Sequence, residues 1–121
     1  MNRTVKGQVA YQGGLAAEAV VASDYERRGR TIAHRRWRGS AGEIDLIARD
    51  GAALIFIEVK MAETHAIAAE RLGPRQMERI YAAASEFIGG EPAGQETEVR
   101  FDVALVDRQG RLDIVENAIW G

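Results

Sequence analysis

Four ionisable side chains, Glu43, Asp45, Glu58 and Lys60, fall within the stretch "GEIDLIARDGAALIFIEVK", residues 42–60. The residues around them are apolar enough for a core. Side chains alternate along a strand, so Glu43, Asp45 and Ile47 share one face of a first strand. Leu54, Phe56, Glu58 and Lys60 share one face of a second. Carboxylates brought together repel: at roughly 4 Å and an effective dielectric near 20, each pair costs about 4 kcal/mol before desolvation. Lys60 offsets one negative charge, not three. Either one acid keeps its proton or a divalent cation binds among them. Oxygen donors with no Cys and no nearby His favour a hard ion, Mg²⁺ or Mn²⁺, over Zn²⁺. A solvated Glu–Lys pair would explain a lone E-x-K. It does not explain charges gathered at one end of a face otherwise made of Ile47, Leu54 and Phe56.

Whether the two acidic faces coincide depends on the turn. A two-residue Asp50-Gly51 loop pairs Arg49 with Ala52 and so Glu43 with Glu58. A Gly51-Ala52 loop pairs Asp50 with Ala53 and so Asp45 with Glu58. Both suit hairpin turns, type I′ and type II′ respectively. Either register gathers the four charges on one face, whereas a three-residue loop would separate them.

The elements that must position these groups follow from pattern. Residues 14–28 suit a helix, with Leu15, Ala16, Ala19, Val20 and Ala22 near one side and Gly29 as a stop. "TIAHRRW" suits a short strand, then "RGSAG" a turn, then the two strands near 43–48 and 54–60. "MAETHAIAAERLG" reads as mostly loop with at most a helical turn. A second helix starts near Pro74, carries Met77, Ile80, Tyr81, Ala84 and Ile88 as its apolar stripe, and stops at Gly89-Gly90. "VRFDVALVD" and "RLDIVEN" read as strands around the "RQG" turn. The order α-β-β-β-α-β-β predicts an α/β fold: a mixed β-sheet flanked by helices. No repeat or linker interrupts it, so residues 1–121 are read as one domain, with 1–12 and 118–121 as flexible ends.

A chain of 121 residues with 46% apolar composition is long enough for its own core. The absence of Cys excludes disulfides and thiolate metal sites, and fits a reducing cytoplasm. The start "MNRTVKGQVAYQGG" has no apolar signal region, and the longest apolar run, Ala52 to Ile57, is far too short to span a bilayer. A cytoplasmic protein without a membrane partner is expected. Net charge is only −2, yet residues 1–40 hold eight Lys/Arg against three Asp/Glu, and the remainder eight against fifteen. Arg27, Arg28, Arg30, Arg35, Arg36 and Arg38 crowd together with His34 and Trp37. Charge alone favours a polyanion dock there no more than a solvated basic surface. Trp37 suits base stacking or a core position. Arg71, Arg75 and Arg79 recur every four residues, for phosphate contact or as a solvated face.

The sequence resembles the YraN-like family, which is assigned to the restriction-endonuclease-like, or PD-(D/E)xK, nuclease superfamily and is similar to archaeal-type Holliday junction resolvases. The central stretch 42–60 carries the likeness. "GGLAAEAVVASDYERRG", with its embedded Glu18, resembles the family's first helix; "RQMERIYAAASEFI" resembles its second, and "RFDVALVD" the strand after it. Two positions differ: Ala62 stands where members usually show a basic residue, and Gln76 where the second helix often carries lysine.

The resemblance implies a metal-dependent endonuclease that hydrolyses phosphodiester bonds in DNA, with branched or structured DNA suggested by the similarity to resolvases and RNA left open. Asp45, Glu58, the Val59 backbone carbonyl and Glu18 would bind one or two Mg²⁺ or Mn²⁺ ions. Lys60 would orient or activate the attacking water, Gln76 would position water or phosphate, and Glu43 would stand just behind the ligands. Arg27, Arg28, Arg30, Arg35, Arg36, Trp37, Arg38, Arg75 and Arg79 would contact nucleic acid. Junction resolvases act as dimers, which makes a homodimer an expectation. The alternative is a nucleic-acid-binding module of the same fold that does not cut. His34 and His65 are too far apart in sequence for a helical ligand pair, no serine sits in a nucleophile elbow, and the pairs Gly13-Gly14 and Gly89-Gly90 are read as flanking helices.

Overall fold

The hairpin at Gly51 sets the geometry of the whole sheet. In the computed structural model, which describes residues 3–118 (the side chains of 3–12 excepted), β2 (Glu43–Asp50) and β3 (Ala53–Met61) pair antiparallel with Asp50 opposite Ala53. Of the expected flexible ends, residues 1, 2 and 119–121 lie outside those limits. Gly51 has φ of +62° and Ala52 does not share it, so the second of the two registers is realised with a glycine at the one position that needs positive φ.

The full order is α1 (Arg3–Arg27), β1 (Thr31–Arg38), β2, β3, α2 (His65–Glu70), α3 (Pro74–Ile88), a 3-10 turn (Gly94–Glu96), β4 (Val99–Val106) and β5 (Leu112–Val115). The five strands lie in sequence order. All neighbours are antiparallel except β3 and β4, which are parallel and joined by the α2–α3 crossover. This is the expected mixed sheet flanked by helices, compatible with a restriction-endonuclease-like fold.

Two features differ from expectation. Residues 65–70 form a helix rather than mostly loop, because Thr64 caps it: its hydroxyl accepts from the Ile67 N–H at 3.2 Å. The first helix begins at Arg3, so Gly13 and Gly14 lie inside it instead of flanking it. Only Gly13 serves close approach: a Cβ there would sit 3.1 Å from the Met61 methyl, whereas one on Gly14 would make ordinary contact with the Arg36 guanidinium at 3.8 Å.

Burial divides between the two sheet faces. On one, Ile47, Leu54, Phe56, Phe101, Val103 and Leu105 pack under α2 and α3, whose Ile80, Ala83, Ala84 and Ile88 are buried as a stripe. On the other, Leu46, Ala48, Ile55, Ile57, Ala104 and Val106 pack under Ala17, Val21, Ala22 and Tyr25 of α1. The expected α1 face was therefore rotated: Leu15 and Val20 are exposed. Under α1, the Tyr25 hydroxyl donates to the fully buried Asp102 at 2.6 Å, and burial with this contact pushes the phenol's pKa far upward. Arg100 (2.8 and 2.9 Å) and the Asn117 N–H (3.0 Å) also donate to Asp102, tying α1, β4 and the last segment together. Among the described residues, no helix is long and apolar enough to cross a membrane.

Candidate active site

Past Leu46 and Ile57, the last pair toward this end of the hairpin, β2 and β3 cease regular pairing. The Asp45 carboxylate takes over there, accepting the Val59 N–H at 2.8 Å. A backbone donor that would otherwise be orphaned thus holds an acidic side chain at the point where the strands part. Val59 enters the site through that N–H.

Glu58 is 5% exposed and lies within hydrogen-bonding reach of Asp45. Burial first, then the Asp45 contact and charge, push its carboxyl up to about 10, with Lys60 working in the opposite direction. Glu58 therefore holds a proton at neutral pH. A proton on Glu58 is one of the two remedies for crowded acids. The Lys60 ammonium stands 4.0 Å from Glu58 Oε1 and keeps some exposure to solvent.

The rest of the site reaches in from β1 and α1. Arg36 lies opposite Asp45, between the pairs Arg35–Leu46 and Trp37–Ile44, and has φ of +52°. A non-glycine residue there carries about 1–2 kcal/mol of backbone strain. The alternation of β2 breaks at the same place: Ile44 packs on the α3 side, Leu46 on the α1 side. Arg36 Nε donates to Glu18 Oε2 at 2.9 Å. Burial raises the Glu18 pKa, Arg36 pulls it back, and the charges of Asp45 and Glu43 raise it. Glu43 itself accepts from Arg38 at 3.0 Å. Glu18, Glu43, Asp45, Glu58 and Lys60, expected to act together, are thus neighbours. Arg36, one of the residues expected to contact nucleic acid, pairs with Glu18; no sequence signal marks a positive φ at an arginine.

Among the described residues, no three Asp, Glu, Cys or His side chains are arranged as a ready metal-binding group. The donor set nonetheless suits a hard cation: the buried Glu58 carboxyl lies within hydrogen-bonding reach of the half-buried Asp45, and an ion can replace the proton that burial favours on Glu58.

The remaining candidates are dispersed. Gln76 is partly buried in the first turn of α3 and makes no hydrogen bond to the cluster. One turn on, Arg79 packs beside Gly42, the residue before Glu43. Trp37 stacks edge-on against Phe87 of α3 at 5.2 Å, so its ring belongs to the core margin. Arg27 and Arg28 pair with Asp24 (3.4 and 3.0 Å), Arg30 with Asp50 (3.6 Å) and Arg35 with Glu26 (3.8 Å).

A five-stranded mixed sheet flanked by helices, with Asp, Glu and Lys gathered where two central strands part, defines a small α/β protein of nuclease-like architecture. The chain belongs to the YraN-like family described as "Uncharacterised protein family UPF0102", whose profile matches residues 17–106. It is similar to a UPF0102 protein of Cereibacter sphaeroides strain ATCC 17025, 63% identical over 114 residues, 94% of this chain and 97% of that protein. A UPF0102 protein of Ruegeria pomeroyi is 58% identical over 113 residues, 93% and 92% of the two chains. One from Dinoroseobacter shibae is 42% identical over 115 residues, 95% and 86% of the two chains.

Proposed function

We propose that this protein is an endonuclease that hydrolyses phosphodiester bonds in DNA, branched or structured DNA in particular, using Mg²⁺ or Mn²⁺. The observation that carries this reading is Asp45 within hydrogen-bonding reach of the buried Glu58, with the Lys60 ammonium 4.0 Å from Glu58. Such a pair is poorly matched to a merely structural role, because an apolar pair would fill the space without the repulsion. Asp45 and Glu58 would hold the cation. When bound, it supplies charge relief on the phosphate and a nucleophile at neutral pH. Lys60, with its ammonium partly open to solvent, orients the attacking water and balances charge that develops on the phosphate. Glu18 lies close enough to feel Asp45 and joins the pair if Arg36 releases it. Gln76, in the first turn of α3, would orient water or phosphate.

The test is cleavage of labelled linear and four-way-branched DNA in Mn²⁺ or Mg²⁺. Asp45→Asn and Glu58→Gln should each lower the rate about 100-fold or more while DNA binding persists. Intact substrate under all conditions, or undiminished cutting by Asp45→Asn, would overturn the assignment. One observation favours a second reading, a binding module that does not cut: Glu18 is engaged by Arg36 rather than by the acidic pair. That reading predicts binding with no metal-dependent product in the same assay.

A further inference from the structure

Resting on the phosphodiester reading, we infer that the nucleic-acid backbone docks on α3 through Arg75 and Arg79, and that the arginine-rich segment 27–38 is not the docking surface. Sequence density of arginine points to 27–38, but the folded chain cancels it. Its six guanidiniums face five carboxylates: Asp24, which takes two, and Asp50, Glu26, Glu18 and Glu43. What is left there is close to neutral.

Arg75 and Arg79 are different. Both are exposed, and neither has a carboxylate within 4.0 Å among the described residues. They stand one helical turn apart, about 6 Å along the axis. Like charges at that spacing repel and weaken a helix, and Glu78, the helical neighbour suited to offset Arg75, is not engaged with it. A local rule broken without compensation is expected where a surface is kept for a ligand.

The position fits as well. Just ahead of α3, Arg71 donates to the carbonyl of Met61, the residue after Lys60, at 3.1 Å. At the other end, a Cβ on Gly42 would lie 3.5 Å from that of Arg79, and Gly42 precedes Glu43. The arginine row therefore runs from the end of β3 to the start of β2, the two strand ends that carry the acids and Lys60. A strand of phosphates laid along it passes the site.

The experiment is fluorescence anisotropy with labelled single-stranded and branched DNA, without metal, in an Asp45→Asn background so that nothing is cut. Salt is varied between about 50 and 200 mM. Each phosphate contact contributes roughly 0.7–0.9 to the slope of log affinity against log salt. Arg75→Gln/Arg79→Gln should reduce that slope by roughly 1.4–1.8 and weaken low-salt binding about 10-fold or more. Arg75→Lys/Arg79→Lys should retain most of the slope. Arg27→Gln/Arg28→Gln/Arg35→Gln should leave it unchanged. Thermal midpoints of the α3 glutamine variants should be equal to or above the parent, since a like-charge repulsion is removed; a structural role would lower them. An unchanged slope in the α3 variant, a loss confined to the 27–35 variant, or no salt-dependent binding by the parent overturns the inference. Cutting by the otherwise unaltered chain is measured alongside. Cutting with an unaltered KM in Arg75→Gln/Arg79→Gln sinks the docking surface and leaves the nuclease; slope loss without any cutting does the reverse.

Discussion

Glu58 has to be neutral to sit where it does, and that makes the stability of the metal-free protein depend on pH. Its carboxyl is raised from an unfolded value near 4.5 to about 10. Between those limits the native state binds more protons than the unfolded chain, so stability is full below pH 4.5 and declines as pH rises toward 10. Glu58→Gln keeps the shape, donates to Asp45 without needing a proton, and should flatten that decline. At pH 7 the variant is expected to be more stable than the parent by up to roughly 3 kcal/mol. Urea unfolding at several pH values checks this, and a variant less stable than the parent at pH 8 would contradict it. A residue whose replacement stabilises the fold and abolishes cutting is retained for chemistry, not for folding.

At the scale of elements, the site exists because two strands stop matching. Part of this was legible: the Gly51 turn gave one of the two registers allowed, whereas the expected strict alternation of β2 breaks between Ile44 and Leu46 with no signal in the sequence. Helix α3 was equally plain, with Pro74 in its first turn and the stripe from Met77 to Ile88. The α1 face was not. Alanine and valine recur all around that helix, so several stripes fit, and the right one is marked by Tyr25, whose partner Asp102 lies 77 positions away. The arginine pairings were hidden for a similar reason: Arg30–Asp50 and Arg36–Glu18 join residues far apart in sequence. The helix at 65–70 did have a signal, Thr64 ahead of "HAIAAE". Two glycines separate the helix from the loop. Gly14 lies within α1 with only an ordinary contact to Arg36 awaiting a Cβ, so Gly14→Ala should stabilise by about 0.5–1 kcal/mol. Gly39 begins the β1–β2 turn, and a Cβ there would run into the Glu86 carboxylate and the Trp37 ring at 2.7 Å. Gly39→Ala should cost about 1–3 kcal/mol. Urea midpoints that move the same way for both would refute this account.

Across the whole molecule, the cluster joins layers that otherwise meet only through the sheet. Glu18 comes from α1 on one face, whereas Glu58 and Lys60 continue the Leu54–Phe56 side that α3 covers. Arg36, at the kink of an edge strand, holds Glu18 at 2.9 Å. A cation taken up by Asp45 and Glu58 exists only in the folded assembly, so its binding free energy adds to global stability. With ion at 100 times its dissociation constant, the gain is about 2.7 kcal/mol, which for a chain of this size raises the melting midpoint by roughly 8–16 °C. The ion must displace the proton on Glu58. Uptake therefore becomes easier as pH approaches 10 from below, and the Mn²⁺-induced shift should grow between pH 6 and pH 8.5. In Glu58→Gln the shift should be smaller and lose its pH dependence, and in Asp45→Asn it should nearly vanish. Calorimetric scans at matched ionic strength decide it. A shift that is the same at both pH values, or that survives Asp45→Asn intact, would place the ion elsewhere on this acidic chain and remove the reason for keeping a buried glutamate against a second carboxylate.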